Sequence, residues 1–489
     1  MGTELSTRRR SARASQRIGD RAGWFLLALS MVTTAAVVHL LPLQSRDAAL
    51  GQPAHPDHAT AMLNSVWTLG AALFLYLMHG GFGFFEAGMT RRESTVTTLA
   101  HNLMVLAVTV LVYWAVGFAV MYGDGSSWIG MHGFFPTLLG DSAAGFEGLR
   151  ARPVPLVVAF ALALSFADTP ATLVAGSGAE RLRLSAFMTL TVLIGGLLFP
   201  LVGRAVWAGG VLARLPVPFY DSGAATVQLC GGLCALVTCR LLGPRAGRFN
   251  ADGSANRLPS SSMPLVFLGA FILWMGFLGF NAGLSMTAGP SMALVLVNTV
   301  MGTAAGATAA LASVWLLRGK GSLRAAINGM LTAAVAVTSI SAVAEPWAAV
   351  VTGLVAGIVS PLAIAGVAWL QLDDPTEYLT MNVVGGVLGT LAVGIFASPE
   401  VARRFGAAMQ PVAGLVYGGW GQLASQLVGL AVITTLVVPP VLVVVATLRR
   451  FDLLRISAEE ERHGSDRSSH GENAYEGFAW APVEPDDPG

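Results

Sequence analysis

The sequence predicts an all-α protein that crosses a membrane many times. Apolar residues make up 54% of the 489 residues and charged residues only 12%, which is about half of the roughly 25% typical of soluble domains. Apolar runs that end at Gly, Pro or charged residues recur along the chain. So apolar a chain needs lipid around it, because it cannot present an ordinary surface to water. The formal net charge of +1 argues against a nucleic-acid partner.

Eleven of these apolar runs are long enough to span a bilayer as helices and too long for core strands. They are residues 66–88, 97–121, 155–174, 185–202, 224–242, 263–283, 291–317, 323–342, 347–369, 379–397 and 423–448. The predicted membrane domain therefore covers residues 51–455, and a charged, polar tail of residues 456–489 follows it.

The N-terminal residues 1–50 form a separate predicted unit. An apolar run, residues 24–43, follows six arginines: Arg8, Arg9, Arg10, Arg13, Arg17 and Arg21. A basic segment before one apolar run is typical of a signal peptide and equally of a signal-anchor helix. Both interpretations stay open.

Basic loop residues predict the orientation. The loops predicted on one side carry Arg91, Arg92, Arg181, Arg183, Arg240, Arg245, Arg248, Arg257, Arg318, Lys320, Arg324, Arg449, Arg450 and Arg455, and the alternate loops carry Arg150, Arg152, Arg204, Arg214, Arg403 and Arg404. The side richer in Lys and Arg is cytoplasmic. We therefore expect an inner-membrane protein whose core begins outside and whose tail is cytosolic.

Two pairs of motifs indicate an internal repeat. FEAG (residues 85–88) ends the first core helix, and FNAG (residues 280–283) ends the sixth. TVQLCGG (residues 226–232) in the fifth helix matches TMNVVGG (residues 380–386) in the tenth. An odd number of spans per repeat forces the two halves into opposite orientations. The sequence thus predicts a 5+5 inverted repeat with a pathway between the halves.

Gln228 and Asn382 are the leading candidates for that pathway. Polar groups inside spans are costly and usually face the bundle interior or a water-filled path. Since the two residues hold equivalent repeat positions, we expect them within hydrogen-bonding reach of each other or of one shared water. Amides donate and accept hydrogen bonds but do not titrate near neutral pH. Interhelical hydrogen bonds worth about 1 kcal/mol each are the alternative role.

Three further ionisable residues lie on apolar spans. Asp168, in the third span, needs a partner or a proton at that depth, so it is either a structural residue or a proton acceptor. His79 and His101 are interpreted as packing histidines.

Two acidic residues lie near helix ends. Asp221 precedes the fifth helix and is expected to cap its N-terminus. Glu86 is expected to form a structural ion pair with Arg91 or Arg92.

The sequence gives little support to an ATP-driven pump or a membrane enzyme. It carries no P-loop, no paired-cysteine metal signature and no nucleophile constellation. Cys230, Cys234 and Cys239 share one apolar stretch and are interpreted as small packing residues. We expect no metal and no cofactor.

Several motifs resemble those of the ammonium transporter family. HGGFGFFEAGMTRR (residues 79–92) resembles the first-helix signature, and GAERLRLSA (residues 178–186) the loop after the third helix. Further matches are GFLGFNAG (residues 276–283), DDP (residues 373–375) and HGENAY (residues 470–475). The resemblance implies a homotrimer of eleven-helix protomers with one narrow pore each. It also implies a tail that contacts neighbouring subunits and a small trimeric nitrogen-regulatory protein in the cytosol.

The resemblance assigns roles to individual residues. Trp207 matches an external tryptophan and Phe166 a nearby phenylalanine at the site that recruits ammonium, where Leu284 replaces the family's serine. Phe166 and Phe280 match two stacked phenylalanines that gate the pore. Below the gate, Gln228 and Asn382 occupy the positions of the family's two hydrogen-bonded histidines, and Asp221 matches its structural aspartate.

The missing histidines bear on transport. Imidazole titrates near pH 6.5, whereas an amide does not titrate in the physiological range. We therefore expect electroneutral ammonia passage or very slow transport, with Asp168 as the first alternative proton acceptor. Two function classes stay open: a transporter or channel for ammonium or ammonia, and a non-conducting ammonium sensor or regulatory protein.

Overall fold

The computed structural model describes residues 57–139, 145–149, 152–404 and 413–476. The predicted N-terminal unit, with its apolar run 24–43, lies outside the described residues. Within the described ranges the chain is helical and has no β-strand beyond isolated bridges. The all-α prediction is confirmed.

Eleven apolar helices follow one another in these ranges, labelled α1 to α11. They are α1 His58–Met89, α2 Arg92–Tyr122, α3 Leu156–Gly178, α4 Leu184–Trp207, α5 Ala224–Leu242, α6 Met263–Gly283, α7 Pro290–Arg318, α8 Leu323–Thr338, α9 Pro346–Trp369, α10 Leu379–Phe396 and α11 Trp420–Arg450. Ten are long and apolar enough to cross a membrane, and α8 is shorter, with 16 residues. Each predicted apolar run therefore falls on a helix, although α1 begins eight residues earlier than predicted.

Glycines allow the helices to approach closely. α1 packs along α6, where a Cβ on Gly269 would lie 2.2 Å from the backbone nitrogen of Phe85. α7 packs along α9, where a Cβ on Gly353 would lie 2.0 Å from the carbonyl oxygen of Gly302. Since lipid gives no hydrophobic drive for association, such close contacts supply the packing energy between helices.

The repeated motifs of α5 and α10 lie against each other. α5 begins with the π-helical turn Ala224–Leu229, and α10 begins with the π-helical turn Leu379–Val384. A Cβ on Gly232 would lie 2.9 Å from the Val383 side chain, and one on Gly386 would meet Leu229 at the same distance. The two motifs thus share a local geometry as well as a sequence pattern, and π-helical turns occur frequently at functional sites.

The loops predicted to share one side meet at one end of the bundle, here called the basic end. Glu180 contacts Arg91, and it accepts a hydrogen bond from Arg245 at 2.5 Å. Arg245 also donates to Asp373 at 2.8 and 3.0 Å, and Arg181 donates to the Asp373 carbonyl at 2.6 Å. Burial raises the pKa of Asp373, but the nearby Arg181 and Arg245 guanidinium groups outweigh it and hold that pKa well below its usual range.

The ion pair predicted for Glu86 is wrong. Glu86 is fully buried and accepts a hydrogen bond from Asn102 at 2.7 Å, whereas Arg91 pairs with Glu180 and Arg92 lies 3.8 Å from Glu93. The helical turn at residue 86 points the carboxylate inward, which the sequence spacing alone did not decide.

The start of the tail folds onto the basic end. The carboxylate of Asp466 accepts from the backbone nitrogens of Val96 and Thr97 at 3.0 and 2.8 Å, so it caps the first turn of α2. Glu461 accepts from the backbone nitrogen of Ala246 and from Arg455, both at 2.7 Å. These bonds join the tail to the start of α2 and to the loop after α5 of its own chain.

Candidate functional site

Three aromatic rings form a cluster at the opposite end of the bundle core. Phe166 and Phe280 have ring centroids 4.7 Å apart at an interplanar angle of 88°. They meet edge to face, so the stacked arrangement implied by the family resemblance is wrong for this chain. Trp207 lies 5.9 Å from Phe166, and its indole N–H donates to the Asp221 carbonyl at 2.9 Å. Gly223, with φ +115°, makes room for Phe280, because a Cβ there would lie 2.5 Å from the ring.

Asp221 organises the start of α5 directly below these rings. Its carboxylate accepts from the backbone nitrogens of Gly223, Ala225 and Thr226 at 2.9 to 3.0 Å. The Ser339 hydroxyl donates to the same carboxylate at 2.5 Å. These are the contacts of an N-terminal cap, the structural role expected from the sequence.

A narrow cavity lies inside the helix bundle. It offers about 10 Å³ to the centre of a water-sized sphere, which is room for about one water molecule. Its lining is apolar apart from the amides of Gln228 and Asn382 and the phenol of Tyr378. The apolar lining residues are Phe82, Leu273, Phe277, Leu331, Val335 and Met381. The structure thus brings the two predicted amides to one cavity.

The two amides do not hydrogen-bond each other directly. Asn382 donates to the Tyr378 carbonyl at 3.0 Å, and the amide nitrogen of Gln228 has no hydrogen-bond partner among the described residues. Both residues are buried, at 1% and 4% exposure, so neither faces lipid. An unpartnered buried amide calls for a partner in the cavity, such as a shared water or a small substrate.

Leu284 lies where α6 ends and packs, half-buried, against the main core cluster. Its side chain has no hydroxyl to offer a cation.

A buried polar pair was missed by the sequence reasoning. His79 Nδ1 lies 2.6 Å from Asp168 Oδ2, so the histidine interpreted as a packing residue is the partner that Asp168 requires. The sequence held half of the signal, because a carboxylate inside a span needs a partner. It did not show which helix would supply that partner.

The fold defines a multi-spanning helical membrane protein with a small enclosed cavity. The sequence model of the Ammonium Transporter Family matches residues 66–475. The chain belongs to this family, whose members are transport proteins and not enzymes.

The similarity to individual relatives extends over most of the chain. It is 32% identical to ammonium transporter Amt2 of Archaeoglobus fulgidus, covering 86% of this chain and 89% of the relative. It is 33% identical to ammonium transporter Amt2 of Haloferax mediterranei, covering 85% and 90%. Among solved structures, a "Sensor Amt Protein" superposes with a TM-score of 0.77 at 28% identity, covering 85% of this chain and all of that one. Mep2 of Candida albicans shares the fold, with a TM-score of 0.74 at 23% identity over 82% of this chain and 87% of Mep2.

Proposed function

We propose that this chain is a transporter or channel that passes ammonium or ammonia through a narrow pore in each protomer of a homotrimer. The observation that carries the proposal is the sequence of groups along one path, with Trp207 first, then the edge-to-face pair Phe166 and Phe280, then the cavity with Gln228 and Asn382. The relatives named as ammonium transporters support the substrate.

Each part of the path has a physical task. Trp207 and Phe166 attract a cation through their ring faces, an interaction worth up to about 2 kcal/mol when desolvated. The closed phenyl pair excludes bulk water and larger ions. The two amides then offer hydrogen bonds to a molecule the size of ammonia, which replaces part of the solvation that it loses on entry.

The second candidate is a non-conducting ammonium sensor. It is favoured by the resemblance to the solved structure titled "Sensor Amt Protein" and by the absence of titratable groups from the cavity lining apart from Tyr378. The two candidates differ in one measurable property, since a sensor binds ammonium without net passage.

The decisive experiment uses the purified full chain in proteoliposomes. Uptake of labelled methylammonium is measured beside the membrane current that follows an ammonium concentration step. The transporter proposal expects uptake above that of empty liposomes. Ammonium-dependent protection against thermal unfolding without uptake would favour the sensor.

The proposed placement is the inner cell membrane, with the basic end and tail in the cytosol. The arginine content of the loops at that end supports it. The folded start of the tail, anchored by Asp466, is the surface proposed to meet neighbouring subunits and a trimeric nitrogen-regulatory protein. Protease added to the outside of intact cells should leave the tail uncleaved.

Removing the ring of Phe280 from the proposed gate should open the path. In Phe280→Ala, the Phe166 ring loses its edge-to-face partner and the space above Gly223 empties. We expect methylammonium uptake to rise by about tenfold, because a side chain that blocks the path contributes several kT to its barrier. We also expect water to enter the cavity in a solved structure of the variant.

Phe271→Ala is the matched control, because Phe271 lies on the same helix with 48% of its surface exposed. An unchanged uptake and an unchanged, dry path in Phe280→Ala would show that the gate is elsewhere.

A further inference from the structure

A buried series of polar groups runs beside the pore. Asp168 contacts His79, and His79 Nε2 lies 2.8 Å from the backbone carbonyl oxygen of Asn102. The Asn102 amide donates to Glu86 at 2.7 Å, and the other Glu86 oxygen lies beside the ring of Tyr378, close to where a Gly176 side chain would be. Tyr378 lines the amide cavity. The series therefore starts near the gate and ends at the pore.

Hydrogen-bond chemistry shows how the His79 and Asp168 pair can hold a proton. A carbonyl oxygen can only accept, so Nε2 of His79 carries a hydrogen. If Nδ1 and the carboxylate were both unprotonated, two lone pairs would oppose each other at 2.6 Å. A proton shared between His79 Nδ1 and Asp168 Oδ2 removes that repulsion, so the contact is one that binding of a proton stabilises.

The position of the pair suits exchange with the pathway. Asp168 lies at a break in α3, between the helical segments Leu156–Ala167 and Thr169–Gly178, and two residues after the gate residue Phe166. The His79 and Asp168 side chains keep 8% and 7% of their surface open, whereas Glu86 keeps none. The pair is therefore buried, although less completely enclosed than Glu86.

We propose that His79 and Asp168 form the proton acceptor of this transporter. Ammonium that passes the gate breaks one N–H bond, the electron pair stays on nitrogen as ammonia, and the proton binds between Nδ1 and Oδ2. Ammonia continues into the cavity of Gln228 and Asn382. The proton leaves the pair toward Glu86, the next titratable group toward the basic end. This inference rests on the proposed transport function and assigns to a pair beside the pore the task that two neutral amides cannot perform.

The surroundings of the pair define its pH response. The titratable groups that face the pair are Tyr76 and Glu86, both on α1, the helix of His79. Helix α2 contributes the neutral Asn102. Filling the pair with a proton from solution removes the acceptor, so acidification should lower the current of the wild type.

The test compares two fluxes in proteoliposomes of the wild type, His79→Gln and Asp168→Asn. The membrane current measures proton movement. A pH dye inside the liposomes measures ammonia entry, because ammonia makes the interior more alkaline. We expect both variants to lose at least about tenfold in current, the lower bound for removing a positioned proton acceptor, and to keep ammonia passage. Asp168→Glu should restore part of the current. His101→Gln, a second buried histidine that packs on Phe187, is the matched control and should keep its current.

Other outcomes have distinct meanings. Unchanged current in both variants, with wild-type current present, overturns the inference and leaves the proposed function standing. No uptake and no current in the wild type overturns the proposed function itself. If the variants do not fold, infrared difference spectra of the wild type with isotope-labelled aspartate decide: ammonium should change a carboxyl or imidazole band, and a spectrum without such a change overturns the inference.

Discussion

Arg245→Ala is expected to lower the free energy of unfolding by about 3 kcal/mol, the lower end of the cost of breaking a buried ion pair. Arg245 bonds two carboxylates, Glu180 and Asp373, whose side chains are 0% and 1% exposed. Alanine leaves both charges buried with weaker compensation. The loss stays at the lower end because Arg91 still contacts Glu180 and Arg248 lies 3.4 Å from Asp373. Denaturation in mixed detergent micelles measures the change.

A surface ion pair provides the control. Arg404 and Glu400 form an exposed pair one helical turn apart, with side chains 70% and 59% exposed. Pairs of this kind contribute about 0.3–0.5 kcal/mol, so Arg404→Ala should leave the midpoint almost unchanged. Equal losses in the two variants would contradict a special role for the buried network.

The same network predicts an acid transition. Because the folded-state pKa of Asp373 lies below its ordinary value of 3.8, its ionised form stabilises the fold above that pH. This contribution is lost as the pH falls below about 4 toward the folded-state pKa. Arg245→Ala, which removes one of the guanidinium groups that lower the pKa, should flatten this part of the stability profile.

The double variant Gln228→His with Asn382→His is expected to raise the ammonium-driven current by at least about tenfold, since a positioned proton-transfer group typically contributes a factor of about 10² or more. Imidazoles would place titratable groups in the cavity, where the native amides can only form hydrogen bonds. Both positions line the same cavity, so a proton could pass between them. Current from purified protein in lipid, compared with the wild type, measures the effect.

Combining variants separates the two proton routes. Current in the double-histidine protein should persist when His79→Gln is added, because the pore would then have its own acceptor. The single variants, Gln228→His and Asn382→His, serve as controls and should gain little, since one imidazole cannot hand its proton to a second. A double variant with no gain would mean that the cavity does not conduct protons even with imidazoles in place.

The order and class of the helices could be read from the sequence. Runs of about twenty apolar residues have few alternatives to spanning helices, because every backbone polar group in lipid must be bonded within its own segment. The repeated motifs at residues 226–232 and 380–386 likewise predicted that Gln228 and Asn382 face one cavity. Both predictions rest on patterns within short stretches of sequence, which do not depend on how each helix rotates against its neighbours.

Which side chains meet across helices was decided only by the tertiary structure. The sequence identified Asp168 as a carboxylate that needs a partner, but the partner, His79, lies on another helix and was read as a packing residue. Glu86 lies near two arginines in sequence and yet bonds Asn102 inside the bundle. Rotation of each helix about its axis decides such contacts, and that rotation follows from packing against its neighbours. The sequence therefore determined the family, the spans and the two amides that line one cavity, whereas tertiary packing alone placed His79 against Asp168.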